Sequence, residues 1–137
     1  MSQLYFLSVI TLVFAGLLAS ADFLAERLSL LSFLPRMTGN SILVVVTGAV
    51  TLLVGVAKLI FPAPGEAVPI AGDLLPALTG ILVGALLILL GSNKAEEATP
   101  DAAKRVVSVV ISYRIVIGLA SVAVGLIHFI FPATVIL

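Results

Sequence analysis

The sequence predicts an all-α integral membrane protein in which four transmembrane helices form two tandem helical hairpins. Hydrophobic residues make up 61% of the 137 residues, charged residues only 10%, and the mean hydropathy is +1.32. Ordinary globular domains are about 45–50% apolar and about 25% charged. Four apolar runs approach the roughly 20 residues that a helix needs to cross a bilayer. The length predicts one transmembrane domain over residues 1–137.

The first apolar run extends from Leu4 to Phe23. It ends in Ala19-Ser20-Ala21, which resembles the small-residue cleavage site of a signal peptide. Residues 1–21 contain no Lys or Arg, however, so the basic segment of a signal peptide is missing. We therefore predict that this run is retained as a helix, with processing of residues 1–21 as the alternative.

Three further apolar runs follow, and helix-boundary residues mark some of their limits. Asp73 precedes the third run and is a candidate N-cap, with Pro76 in the first helical turn. The runs are Ser41–Phe61, Leu74–Gly91 and Val106–Phe131.

The cationic residues predict the orientation of the spans. Five cations lie outside the apolar runs, and all five are in loops 24–40 and 92–105: Arg27, Arg36, Lys94, Lys104 and Arg105. The positive-inside rule places these loops in the cytoplasm and both termini outside, and we expect the membrane to be a plasma (inner) membrane.

The second half of the chain repeats the first at an offset of 70 residues. Residues 55–63 read GVAKLIFPA and residues 125–133 read GLIHFIFPA. The repeats cover about residues 4–63 and 74–133. Because each repeat has two spans, both copies cross the membrane in the same direction, which predicts a pseudo-twofold axis along the membrane normal.

The second and fourth spans carry matching stripes of small and polar residues. Spacings of four and three keep five positions on one helix face. The stripes are Val44, Gly48, Thr51, Gly55 and Lys58 in the second span, and Arg114, Gly118, Ser121, Gly125 and His128 in the fourth. Small residues favour close helix contacts in lipid, so we expect these two spans to meet along their stripes.

The other two spans contain Gly80-x-x-x-Gly84 and Gly16-x-x-x-Ser20. We expect these motifs to pack inside the bundle or against another protomer.

Arg114 is the most unusual polar residue, because a central arginine costs roughly 2.5–3.5 kcal/mol on insertion scales. One interpretation is a structural ion pair with Asp22 or Glu26 at the end of the first span. The alternative is a binding site for an anion or a lipid headgroup. Tyr113 would then be either an interfacial aromatic residue or a second hydrogen-bonding group.

Lys58 and His128 occupy equivalent positions one turn before Phe-Pro in the two repeats. The first interpretation is anchoring at the outer interface, with Glu66 or Asp73 as partners. The alternative is a histidine that senses pH or relays protons. One histidine and no cysteine make a metal or haem site improbable, and we predict no cofactor.

No catalytic pattern is present. The sequence has no HExxH, no phosphate-binding glycine loop and no Ser-His-Asp candidate. Zero net charge and the lack of a basic tract argue against a nucleic-acid partner. These observations predict a protein that is not an enzyme.

Residues 113–133, YRIVIGLASVAVGLIHFIFPA, resemble the signature helix of the DoxX-like small four-helix membrane proteins. The shared elements are Arg114, Gly118, Gly125, His128-Phe129 and Pro132. In that family the helix usually opens the domain, whereas here it closes the chain. The resemblance implies association with membrane oxidoreductase or quinone-linked complexes.

Three functions fit the sequence. The first is a non-enzymatic helix-packing subunit or scaffold, whose partners are membrane lipids and other transmembrane helices in a homo-oligomer or heteromeric complex. The second is a small homodimeric transporter or channel, with Arg114, Thr51 and Ser121 along the path of an ion or small solute. The third is a lipid- or quinone-associated DoxX-like protein.

Overall fold

The computed structural model describes residues 2–61, 69–92, 105, 108–110 and 112–130. This part of the chain is all-helical, as the sequence predicts, and contains no strand. The elements are α1 (Ser2–Ala19), α2 (Ala21–Arg27), a 3₁₀ turn (Ser29–Leu31), α3 (Leu34–Thr38), α4 (Ser41–Ile60), α5 (Pro69–Ser92) and α6 (Arg114–Ile130). Pro62, Glu66, Lys94, Lys104 and Pro132 lie outside the described residues, as does the side chain of Asp73.

Two helices are long and apolar enough to cross a membrane. They are α4, over Ser41–Ile60, and the Leu74–Gly91 part of α5, each with a hydropathy of 2.4. A third is counted if the bent pair α1–α2 forms one span, and α6 is apolar but has 17 residues. Within the described residues the composition thus supports two or three spans.

The first apolar run is broken into two helices, so the prediction of one continuous helix to Phe23 is wrong. The axes of α1 and α2 differ by 77°. At the break, the Ser20 hydroxyl donates a 2.7 Å hydrogen bond to the Gly16 carbonyl. Serine bonds of this kind to the preceding turn often bend helices, and apolar periodicity does not reveal them.

The start of α5 also differs from the prediction. The helix begins at Pro69, so Asp73 lies inside it rather than at its N-cap, and Pro76 is in the interior rather than in the first turn. Proline suits the first helical position because the N–H that it lacks would have no helical acceptor there. At α4 the N-cap is Asn40, whose side chain accepts the Leu43 N–H at 3.3 Å.

The glycine stripes lie on α4 and α6. The α4 stripe packs against α5, and the α6 stripe packs against α1. A Cβ atom on Gly48 would lie 2.7 Å from the Gly84 carbonyl oxygen, and one on Gly118 would lie 2.7 Å from that of Gly16. The expectation that the second and fourth spans meet along these stripes is therefore wrong for the glycines. The reason is that the missing side chains of these glycines let α5 approach α4 closely and let α1 approach α6 closely. Gly55 and Gly125 follow the same pattern, against Ala77 and Val13.

The small-residue motifs of the other two spans lie inside the bundle. Gly84 packs on Leu52 and Gly48 of α4, and Gly16 packs on Gly118 of α6. Gly80 is looser, since a Cβ atom there would have its nearest neighbours at 3.5 Å. Together with the buried apolar side chains, these contacts form the core, which includes Leu12, Ala15, Val83, Leu86 and Leu87.

Candidate functional site

Polar side chains gather at the two ends of α6. Arg114 begins the helix and His128 lies 14 residues later, which is about 21 Å along the axis at 1.5 Å per residue. The two groups are therefore separate sites.

At the first end, Arg114 forms an ion pair with the first of the two carboxylates named from the sequence. Its Nη2 atom lies 2.8 Å from Asp22 Oδ2, and the two side chains are 37% and 59% exposed. The bend at Ser20 places Asp22 on α2. Glu26, one turn further on, is exposed and forms no ion pair within the described part of the chain.

A cavity of about 160 Å³ adjoins this ion pair. We call it the arginine pocket. At about 30 Å³ per water molecule it has room for roughly five waters, and it is smaller than the about 300–1,000 Å³ of drug-sized sites. Nine residues line it, and three of them have polar side chains: Leu18, Ala19, Ala21, Asp22, Thr38, Val44, Leu87, Leu90 and Arg114.

Arg114 has more N–H donors than the described residues around it use as hydrogen-bond acceptors. A guanidinium carries five N–H donors, and the bond to Asp22 uses one of them. Tyr113 does not line the arginine pocket and is 58% exposed, which fits an outward-facing aromatic residue. The pocket can therefore accommodate waters or one small polar group beside the guanidinium.

At the other end, Lys58 and His128 are in direct contact. Lys58 Nζ lies 3.2 Å from His128 Nε2, and the residues are only 4% and 5% exposed. At these two positions the stripes of α4 and α6 meet, as expected from the sequence, and anchoring at the outer interface stays a prediction. Packing of α1 over both residues explains their burial. A protonated lysine has no acceptor, so Nε2 accepts this hydrogen bond whenever Lys58 is charged.

Tyr5 completes this second cluster, and sequence reasoning missed it. Its hydroxyl donates to the His128 carbonyl oxygen. Its ring centroid lies 4.9 Å from that of the imidazole and 5.9 Å from Lys58 Nζ. The sequence shows one tyrosine in the first span, but no spacing rule relates it to Lys58 or His128, which lie more than 50 positions away.

Thr51 and Ser121 lie between the two clusters, and both are fully buried. The Thr51 hydroxyl donates to the Thr47 carbonyl at 2.7 Å, within its own helix. The Ser121 hydroxyl donates to the Leu12 carbonyl at 2.8 Å and so joins α6 to α1. Both hydroxyls are thus bonded to backbone. Nowhere in the described ranges do three His, Cys, Asp or Glu side chains gather as a metal site would require.

The model of an uncharacterised protein family matches residues 1–128 of the chain. The chain belongs to this family. The matched range includes Tyr5, Asp22, Lys58, Arg114 and His128, so both polar clusters lie within it. No curated protein and no solved structure matches the chain. The resemblance of residues 113–133 to the DoxX-like proteins stays a prediction.

Proposed function

We propose that this family member is a non-enzymatic integral membrane protein that acts as a helix-packing subunit or scaffold of a membrane complex. The observation that carries the proposal is the contrast between its interior and its surface. Inside, the Thr51 and Ser121 hydroxyls bond to backbone, and Lys58 contacts His128. Outside, large apolar side chains stand exposed on every long helix, among them Ile10, Ile42, Leu53, Leu78, Val116 and Ile130.

An exposed apolar surface of this extent is favourable in lipid and unfavourable in water. Lipid tails and the apolar faces of other transmembrane helices are the partners that such a surface accepts. The small residues are not available for contacts with partner helices, because Gly16, Gly48, Gly84 and Gly118 pack against other helices inside the bundle. Partner helices would therefore contact larger apolar side chains.

The proposal includes four spans formed by a duplicated hairpin. Two pairs of residues 70 positions apart support the duplication: Lys58 contacts His128, and Val44 and Arg114 line the same pocket. Positions on a pseudo-twofold axis meet their own counterparts in this way. We further propose that loops 24–40 and 92–105 are cytoplasmic, as the distribution of cations favours.

Native mass spectrometry of the chain released from native lipid discs tests the subunit function. A reproducible heteromeric complex, together with resistance of the chain to alkaline extraction from membranes, is the expected result. Release by alkali would contradict membrane integration. A lone chain or homodimer that stays in the membrane would contradict only the subunit function.

The arginine pocket favours a second candidate, a small homodimeric transporter or channel for an ion or small solute. A half-exposed guanidinium beside an enclosed volume is a means of holding an anion. The test is thermal stability in detergent across a panel of small anions, in the wild type and in Arg114→Gln. A shift that Arg114→Gln removes and Arg105→Gln retains supports this candidate. Equal shifts in all three proteins would argue against it.

A further inference from the structure

The segment between α2 and α4 contains the 3₁₀ turn and α3. We call residues 28–39 the connector. The Leu31 N–H donates to the Leu28 carbonyl, the Ser32 N–H to that of Ser29, and the Arg36 N–H to that of Phe33. Side chains three residues apart share a face in a 3₁₀ helix and lie on the same side of an α-helix.

The inward face of the connector is part of the core. Leu34 is 1% exposed, and Leu31 and Met37, three residues to either side, pack against the same buried cluster. This face sets how the connector sits on the bundle.

The face one residue earlier in register is exposed and also carries apolar side chains. Leu30 is 86% exposed and Phe33 is 51% exposed, and Arg36 follows on the same face. Ile42, 74% exposed at the start of α4, and Val46 one turn later continue the apolar surface onto the lipid-facing side of that helix. A connector immersed in water would leave this whole surface exposed.

We propose that the Leu30–Phe33–Arg36 face of the connector lies in the headgroup–acyl boundary of the bilayer and binds anionic lipid. The inference rests on the proposed membrane location of the chain. Segments that lie in this boundary place apolar side chains into the acyl region and cations beside the phosphates. The cytoplasmic leaflet, where positive-inside reasoning puts this loop, is the one rich in anionic lipid.

Two arginines supply the charge that matches such lipid. Arg27 precedes the connector, and its guanidinium lies 5.4 Å from the Phe23 ring centroid. Arg27 stays exposed beside this ring. Arg36 is exposed. Neither arginine forms an ion pair with a described carboxylate, including Glu26 beside Arg27.

The full chain contains neither Trp nor Cys, so one introduced tryptophan reports on one place. The experiment reconstitutes Phe33→Trp in vesicles of lipids brominated at different depths along the acyl chain. Blue-shifted emission with strongest quenching by shallow bromines is the expected result. Leu30→Trp is the second reporter, in case the first variant does not fold.

Leu53→Trp, exposed on the outward side of α4, serves as the depth control. Quenching of Leu53→Trp by deep bromines with a water-like, unquenched Phe33→Trp would overturn the connector proposal and leave the membrane proposal intact. An unquenched tryptophan at both positions would instead contradict the membrane location itself.

Lipid selectivity at the Phe33→Trp reporter tests the arginines. Brominated phosphatidylglycerol should quench more than brominated phosphatidylcholine, and adding Arg36→Gln should lower this preference by up to about fivefold. Arg36→Lys keeps the charge and should keep the preference. Equal quenching by the two lipids in the reporter protein, or a preference unchanged by Arg36→Gln and Arg27→Gln together, would refute anionic-lipid binding.

Discussion

The stripes on α4 and α6 carry the same glycines but different polar residues. Gly48 and Gly118 each bring a backbone carbonyl of the facing helix to 2.7 Å from where a Cβ atom would stand. At the first stripe position, by contrast, α4 has the buried Val44 and α6 has the half-exposed Arg114, and both line one pocket. The comparison teaches that backbone approach constrains these helices more tightly than the chemistry of their polar groups.

Substitution of the tight glycines should have the largest effect. Gly48→Ala and Gly118→Ala should each lower the free energy of unfolding in mixed micelles by about 1–3 kcal/mol, because the added methyl meets backbone that cannot move aside. Gly80→Ala is the matched control, since its nearest neighbours lie at an ordinary 3.5 Å. Equal losses at Gly80 and Gly48 would remove close approach as the explanation.

The next test concerns the ends of the two stripes, where Lys58 and His128 meet. In a double-mutant cycle, Lys58→Met and His128→Phe should show an interaction energy of about 0.5–3 kcal/mol, as expected for buried side chains in contact. Lys58→Met combined with Arg114→Gln is the control and should be additive within about 0.5 kcal/mol, because these sites lie far apart. Additivity in the first cycle would mean that the contact contributes nothing to stability.

The hydroxyls in the middle of the stripes should differ. Ser121→Ala removes a bond between helices and should cost about 0.6 kcal/mol, the average for such bonds in a membrane protein. Thr51→Val should be nearly neutral, because the Thr47 carbonyl keeps its helical N–H donor. Unfolding in mixed micelles measures both. A larger loss at Thr51 than at Ser121 would reverse the assignment of the two hydroxyls.

The smallest effect is expected at the arginine end of the α6 stripe. An exposed ion pair contributes about 0–1 kcal/mol, so Arg114→Gln and Asp22→Asn should each shift thermal stability little, and the double variant should add almost nothing further. Arg114→Val, which gives α6 the residue of α4, should be tolerated equally well. A loss above about 2 kcal/mol would show that the guanidinium has buried partners beyond Asp22.

The sequence was sufficient for the helices that hydrophobicity defines. The predicted runs Ser41–Phe61 and Leu74–Gly91 agree with α4 and with the apolar part of α5. It was insufficient at Ser20, where the helix axis turns by 77° although the apolar run continues. The sequence offered two possible starts for α5. Asp73 was predicted as the N-cap, but the helix begins at Pro69.

Residue spacing predicted part of the polar clusters, because it shows which residues share a helix face but not which residues meet in space. The 70-residue offset pointed to Lys58 and His128 as equivalents on stripes that were expected to meet, but it did not predict that both side chains are buried. Small-residue spacing identified the correct faces of α4 and α6 and the wrong partners for them. A stripe defines which side of a helix is buried, whereas the choice of neighbour depends on the shapes of all four helices.

The pairing of α1 with α6 has a consequence for how the chain assembles during synthesis. Since α4 and α5 are successive in sequence, they can associate as soon as residue 92 has emerged from the ribosome. The main neighbour of α1 is α6, which is synthesised after α4 and α5, so the contact between Gly16 and Gly118 can form only after that pair has been made. Chains truncated after α5 should therefore expose the bare face of α1 to quality-control proteases, while their α4–α5 pair stays protected.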